Sequence, residues 1–549
     1  MRNRPSAGSP GISVNALILA VSAFLIVAGN ATFVSRVLDS YPLNGDTLLP
    51  LASLGLVFGG ITVLLLAPLC FGRLTRPLLI AVLLLSSAAA YFMDNYGVVI
   101  SDDMLRNAAL TGSAEALELL TAKLFAYLLL LGVLPAIAVA KIRQRAAGGR
   151  GEVFARLRLI GGTLLLVVAT MLVFGGFYAS FLRNHKELRQ HANPVYYLYS
   201  AAKFASQSMA SGIAGPMRQV GTDAAIPAGD TTRDLVIMVV GETARADRFS
   251  LNGYGRETNP LLKRHDVISL ADFRACGTST AVSVPCMFLS DGEAKGAQTI
   301  RREENVLDVL RHGGVNVLWL DNNSDSKGVA ERVEFRDFKN PANNPVCDTE
   351  CRDEGMLAVL QEYIDSHPRG DILIVLHQMG SHGPAYHRRY PPAFEKFRPA
   401  CRESDLSLCT REEIGNAYDN TILYTDHFLS GAIELLKRND TRFDTALFYV
   451  SDHGESLGEN GVYLHGLPKA IAPEAQLRVP AILWFGSGFH QANPQALRRN
   501  SALRFSHDHV FHTLLGLFEI ESAAYTPEKD LLRTGIPASA LTAQGTGSR

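Results

Sequence analysis

Residues 234–243 read DLVIMVVGET. The apolar run Leu235–Val240 has no polar interruption, so both faces of this strand are predicted to be covered, as in a parallel sheet packed between helices. Runs of the same character recur at 315–320 (VNVLWL), 371–377 (DILIVLH), 444–451 (DTALFYVS) and 478–485 (RVPAILWF). Helical patterns lie between or beside them at 301–312, 353–366, 415–437 and 507–517. The expected fold of this part is therefore α/β, a largely parallel sheet sandwiched by helices. Ligands in such sheets sit beyond the carboxyl ends of the strands. Several of these strands end in reactive residues: Glu242-Thr243, Asp321-Asn322-Asn323, His377 and Ser451-Asp452-His453.

The remainder of the 549 residues must be accounted for separately, since this length exceeds one ordinary domain. The 52 Lys and Arg nearly cancel the 53 Asp and Glu, which removes the electrostatic ground for a nucleic-acid partner. Mean hydropathy is +0.10 despite 19% charged residues, so apolar residues are concentrated somewhere. They fill charge-free runs at 12–34, 47–72, 77–93, 124–140 and 159–182. Each approaches the roughly 20 residues that cross a hydrocarbon core, which predicts five transmembrane helices rather than a cleaved signal.

The loops give the orientation. Arg2 and Arg4, Arg73 and Arg76, and then Lys141, Arg143, Arg145, Arg150, Arg156 and Arg158 fall on one side. Asp39, Asp46, Asp94, Asp102, Asp103, Glu115 and Glu118 fall on the other. By the positive-inside rule the N-terminus is cytoplasmic, and all that follows residue 182 is outside. The expected domains are 1–182 in the membrane, 183–233 as an interfacial helix and linker, and 234–549 as the outer domain. Basic and aromatic residues at 183–209 suit a helix lying on the membrane face, and equally a solvated connecting helix.

Six of the seven cysteines lie in the outer part, where an oxidising compartment favours disulfides. Close neighbours make the pairs Cys276–Cys286, Cys347–Cys351 and Cys401–Cys409, while Cys70 stays alone in a membrane run. No Cys-x-x-Cys spacing favours zinc thiolates instead.

The chemistry concentrates at Asp452-His453-Gly454-Glu455-Ser456, where a carboxylate and an imidazole can reach one metal with Glu242. These are donors that zinc accepts, and three protein ligands leave one position for reaction. Residues 276–286 (CGTSTAVSVPC) offer hydroxyl nucleophiles in a segment that a disulfide would rigidify. From spacing alone Thr278, Ser279, Thr280 and Ser283 are equivalent. His382 and His465, each flanked by glycine in a loop, have little use as core residues. His377, His507, His509 and His512 are read as structural or left without a role.

Five segments, GETARADRFSLNGYGRETNP (241–260), CGTSTAVSVPCMF (276–288), DNNSDSKG (321–328), HQMGSHGPAYHRRYP (377–391) and SDHGESLGENGVYLHG (451–466), resemble the lipid A phosphoethanolamine transferases, the family of the mobile colistin-resistance enzymes. The resemblance runs over nearly the whole chain. It implies an alkaline-phosphatase-like catalytic domain in the periplasm, anchored in the Gram-negative inner membrane. It implies Thr280 as nucleophile, and Glu242, Asp452, His453 and Thr280 as ligands of one essential Zn²⁺. His382 and His465 match residues of the phosphate pocket that can hold a second zinc. Asn107, Thr111 and Glu115, with Ser324 and Lys327, match residues that contact the lipid headgroup. Leu289 departs from the family, where a small residue is usual, and touches no ligand.

The implied reaction moves phosphoethanolamine from phosphatidylethanolamine to lipid A phosphate by way of Thr280. The partners are then two lipids and the membrane around them, the working form a monomer, and the consequence lower sensitivity to cationic peptides such as polymyxin. The same chemistry with another acceptor, a lipopolysaccharide core sugar, protein or glycan, is the first alternative. A sulfatase or phosphatase is the second. Against it, 276–290 lacks the Cys/Ser-x-Pro-x-Arg nucleophile motif of sulfatases.

Overall fold

The computed structural model describes residues 11–145, 149–211 and 216–533, so Arg2 and Arg4 lie outside the described residues. The chain forms two compact units, and the division is not a single cut along the sequence. One unit joins the chain up to Leu105 with Leu120–Ser206. The other joins Arg106–Leu119 with everything from Gln207 onward.

In the first unit, Leu48–Leu66, Gly72–Tyr96, Ala122–Lys141 and Arg150–Val173 are each long and apolar enough to cross a membrane. A fifth span requires counting Val14–Ala28 and Ala31–Ser40 as one, although they meet at 59°. The bend within the expected run 12–34 has a local cause. Asn30 Nδ2 donates to the Leu25 and Asn193 carbonyls at 2.9 and 2.7 Å, competing with the helix's own bonding at Gly29-Asn30. The last expected run, 159–182, is also divided. One helix ends at Val173 and the next runs Gly175–Asn184, with Gly175-Gly176 opening it.

The second unit is built on an eight-stranded sheet. Its strands are β1 (Asp234–Gly241), β2 (Ile268–Arg274), β3 (Asn316–Asp321), β4 (Glu334–Asp337), β5 (Ile372–His377), β6 (Asp444–Ser451), β9 (Arg478–Phe485) and β10 (Arg504–Ser506). A separate hairpin pairs β7 (Ser456–Leu457) with β8 (Tyr463–Leu464). The order is β10-β2-β9-β6-β1-β5-β3-β4. Sequence patterning indicates five of the eight. Strands β4 and β10 are short edge strands, and β2 is only half-buried with a register shift between Leu270 and Phe273, so none carries a continuous apolar run.

Strand β1 is flanked in parallel by β5 and β6, with Val240 opposite His377 and Gly241 opposite Ser451. Asp321 of β3 also stands opposite His377. The carboxyl ends of four adjacent strands thus reach one level, and the reactive residues follow there. Beneath them β1 is buried on both faces: Val236, Met238 and Val240 enter one core cluster and Leu235, Ile237 and Val239 the other. The long helix Arg411–Asn439 covers the second face, opened by a capping box between Thr410 and Glu413.

The opposite edge of the sheet holds an acidic cluster, Asp230, Asp234 and Asp371, with carboxylate oxygens within 4.8 Å of one another. Burial and then the charges of Asp371, Asp230, Asp444 and Glu519 push Asp234 up to about 9. A carboxyl whose folded value is raised contributes fully below its unfolded value near 4 and loses that contribution as pH rises through the folded one. Thermal stability should therefore fall between about pH 4 and pH 9 through this residue. Asp234→Asn should flatten that fall, which melting temperatures across the range would show; an unchanged slope would remove Asp234 as the cause.

Candidate active site

Glu242 leaves β1 buried, followed by Thr243 in the left-handed region at φ 49°. A β-branched residue there is strained. It is held on both sides: Thr243 N–H donates to Asp452 Oδ1 at 3.1 Å, and its carbonyl accepts from Tyr418 Oη at 2.6 Å. Two glycines allow the surrounding loops to close. A Cβ on Gly454 would lie 2.0 Å from the Ala475 carbonyl oxygen, and one on Gly380, at φ 52°, 2.8 Å from that of Glu242.

Ligand atoms of Glu242, Asp452 and His453 all come within 4.8 Å of one another, and all three residues are buried. His453 Nδ1 bonds the Gly454 carbonyl at 2.9 Å and therefore carries the proton there, which leaves the Nε2 lone pair facing Glu242 and Asp452. Asp452 Oδ2 is buried and has no hydrogen-bond partner. Burial pushes Asp452 up and His453 well down. Two carboxylates and an imidazole lone pair in a buried recess, one oxygen unpartnered, make a donor set that fits a zinc ion.

Thr280 is not in an irregular loop, as its neighbours suggest, but is the first residue of the helix Thr280–Phe288. Its Oγ1 donates to Glu242 Oε2 at 3.2 Å and lies 3.4 Å from His453 Nε2. The helix N-terminus places unpaired backbone N–H groups and positive potential beside that oxygen, which suits an anionic ligand. Among the four hydroxyls that spacing left equivalent, the geometry differs. Thr278 Oγ1 is committed to the Leu467 carbonyl at 2.6 Å, while Ser279 and Ser283 bury theirs without partners.

His465 stands on the other side of His453, ring centroids 4.4 Å apart, with His382 5.5 Å beyond it. His465 Nδ1 meets Glu455 Oε2 at 2.8 Å, and Tyr386 Oη donates to Glu455 Oε1 at 2.7 Å. That carboxylate fixes the ring so that Nε2 is left for a ligand. Lys327 Nζ donates to Ser324 Oγ at 2.8 Å and to the Leu110 carbonyl at 3.2 Å, so Arg106–Leu119 carries its helical turn beside Ser324 and Lys327. Thr111 Oγ1 caps back to the Asn107 carbonyl. Glu115 belongs to a helical turn, and its side chain lies outside the described residues.

Patterning marks Asn323 and His377 at strand ends without showing what they touch, and it overlooks Asp353 and Arg389 altogether. Asn323 Nδ2 donates to Glu242 Oε2 at 2.8 Å and to the Gln378 carbonyl at 2.7 Å. The buried Asp353 accepts from Met379 N–H, Gly380 N–H and Asn322 Nδ2, fixing the turn that leads to His382. Arg389 Nε donates to the His382 carbonyl at 2.7 Å while its other nitrogens reach Glu118 and Glu350. His377 is fully buried with Nδ1 on Asp321 at 2.9 Å. His507, held near 4 by burial, takes a hydrogen bond from Cys276 N–H and donates to the Ser451 carbonyl.

Two family models match: the sulfatase model over 234–520 and the phosphoethanolamine transferase EptA/EptB model over 59–209. Phosphatidylethanolamine transferase Mcr-1 of Escherichia coli is 40% identical over 93% of this chain and 95% of its own. The chain belongs to the phosphoethanolamine transferases. Phosphoethanolamine transferase EptA of Escherichia coli K12 is 37% identical over 96% of the chain and 97% of its own length. The integral membrane lipooligosaccharide phosphoethanolamine transferase A of Neisseria meningitidis superposes with a TM-score of 0.90 at 34% identity, covering 95% of this chain and 99% of that one. Like these transferases, the chain is an inner-membrane protein with its C-terminal domain in the periplasm.

That location suits the bridges, which join Cys276 to Cys286, Cys347 to Cys351 and Cys401 to Cys409, leaving Cys70 free and buried. The first spans the start of the Thr280 helix of this transferase. A native bridge contributes about 2–5 kcal/mol. Cys276→Ser should therefore lower activity and protease resistance together. Reduction that leaves both unchanged would show that the bridge does not hold this helix.

Proposed function

We propose that this phosphoethanolamine transferase takes its group from phosphatidylethanolamine, holds it as an ester on Thr280 at a zinc site, and passes it to a phosphate of lipid A. The observation that carries the reading is the position of Thr280 Oγ1, at a helix N-terminus and within hydrogen-bond reach of Glu242 and His453. Glu242, Asp452 and His453, with Thr280, would hold Zn²⁺, which lowers the cost of an ionised alcohol and of charge on a phosphoryl oxygen. His382 and His465, ring centroids 5.5 Å apart, would hold a second zinc.

In the first half-reaction Thr280 Oγ bonds to phosphorus, and its proton passes to an imidazole that then protonates the leaving glycerol oxygen. The bond from phosphorus to the glycerol oxygen breaks, and diacylglycerol leaves with that proton. His465, whose Nδ1 meets Glu455, and His382, whose carbonyl accepts from Arg389, would carry that proton. In the second half-reaction a lipid A phosphate oxygen attacks the same phosphorus and releases Thr280. Asn107, Thr111 and Glu115, with Ser324 and Lys327, would receive the ethanolamine headgroup. Glu115 offers a carboxylate for its ammonium. Phosphoethanolamine on lipid A adds that ammonium at the cell surface, which weakens attraction for cationic peptides such as polymyxin.

Relatives named for their substrates include Kdo(2)-lipid A and lipooligosaccharide transferases, which supports a lipid A-bearing acceptor. Mass spectrometry of lipid A from cells with and without this chain tests the assignment. The expected product is lipid A carrying phosphoethanolamine on a phosphate; modification of a core sugar alone would transfer the chemistry to the alternative acceptor.

A further inference from the structure

The membrane unit holds a groove of about 690 Å³ that no part of the transfer chemistry uses. One wall is the stripe Phe58, Ile61 and Leu65 on the helix Leu48–Leu66, continued by Leu69. Spacings of three and four residues place these on one helix face. Met171, Phe181 and Val195 close other sides. The groove is open, since Leu69 is 59% and Tyr199 61% exposed along it. Its volume suits one ligand molecule rather than a layer of solvent.

The charged residue lining this apolar groove is Arg189. Its Nε is buried with no hydrogen-bond partner, and among the described residues no carboxylate lies within ion-pair distance of its guanidinium. The nearest acid in sequence, Glu187, is turned to His185 at 3.5 Å. A guanidinium without a counter-charge in an apolar membrane cleft is costly unless a ligand completes it, and the match to its planar fork is a phosphate oxygen pair. Tyr196 and Tyr199, also on the lining, are the amphipathic residues that favour headgroup level.

We propose that this groove holds a glycerophospholipid, one acyl chain lying along Phe58, Ile61 and Leu65 and the phosphodiester on Arg189. A single cation and a groove for a single molecule suit a phospholipid with one phosphodiester. This lipid is bound by the membrane unit alone, and the proposal stands whether or not Thr280 is the nucleophile.

The test uses the full chain purified in a nonionic detergent and exposed to palmitoyl-oleoyl phosphatidylglycerol, which lacks the ethanolamine of the donor. Native mass spectrometry then counts bound phospholipid through detergent washing. Wild type and Thr280→Ala should each retain one molecule. Arg189→Gln should bind it about tenfold more weakly, the loss of a charge-assisted contact, and Ile61→Trp should exclude it by filling the groove. Diacylglycerol of the same chains, having no phosphate, should fail to displace it from wild type. Failure of wild type to retain phospholipid, or equal retention in both groove variants, would overturn the proposal. So would displacement by diacylglycerol. If Arg189→Gln does not fold, Ile61→Trp and diacylglycerol competition decide the matter.

Discussion

Stripping zinc from the purified full-length enzyme should abolish transfer, and restoring zinc should return it. Glu242→Ala, Asp452→Ala and His453→Ala should each lower turnover on the order of a thousandfold or more, equivalent to several kcal/mol of transition-state stabilisation. The three effects should not add, because the residues serve one ion and removing any one disables the unit. A control is needed, since deleting a buried group also leaves its neighbours unpaired. Glu242→Gln keeps size and hydrogen bonding while removing the charge. It should retain the melting temperature of the apo-enzyme and lose metal content, as measured by elemental analysis. Full turnover in metal-free protein, or Glu242→Gln with undiminished zinc and activity, would end the metal reading.

The parts of this site that sequence makes legible are those with a strong local pattern. Glu242 and Asp452-His453 follow continuous apolar strands, so the rule for parallel sheets already aims them at one edge, and the register of β1 with β5 and β6 brings them level. Paired cysteines at short separation were equally readable. What was not legible depends on contacts across long separations. Asn323 reaches Glu242 from 81 residues away, and His507 reaches Cys276 from 231 away. His507 has the same one-letter signal as any core histidine, and only the fold shows that it ties the Thr280 segment to the end of β6. In the membrane segment apolar composition gives continuous runs and conceals a bend. Asn30 and Gly175-Gly176 were visible, but composition does not show whether the polar side chain bonds its own helix or a partner 163 residues distant. Strands β2, β4 and β10 escaped for a related reason: at or near a sheet edge, less apolar surface is needed to hold a strand.

Thr280→Ala should lose both transfer and the covalent intermediate. Attack needs one oxygen beside the metal ligands and free to face phosphorus, and among the four nearby hydroxyls the structure gives that position to Thr280 Oγ1. Thr278 is spent on the Leu467 carbonyl, which helps to hold the segment 465–467 against the helix start. Its alanine variant should therefore bind less tightly or fold less stably while still forming the intermediate. Ser283 is buried within the helix, and Ser283→Ala should form it as wild type does. With phosphatidylethanolamine supplied and acceptor withheld, the first half-reaction should stop with phosphoethanolamine on the protein, and peptide mapping should find it on Thr280. Thr280→Ser keeps the oxygen and loses the methyl group that limits its rotamers, so it should retain partial transfer with the adduct at the same position. An adduct mapped to Ser279 or Ser283, or donor-dependent transfer surviving in Thr280→Ala, would overturn both the nucleophile and the two-step mechanism. Transfer lost in Thr280→Ala with no adduct ever trapped in wild type would instead indicate direct transfer between the lipids, with Thr280 acting only through the metal.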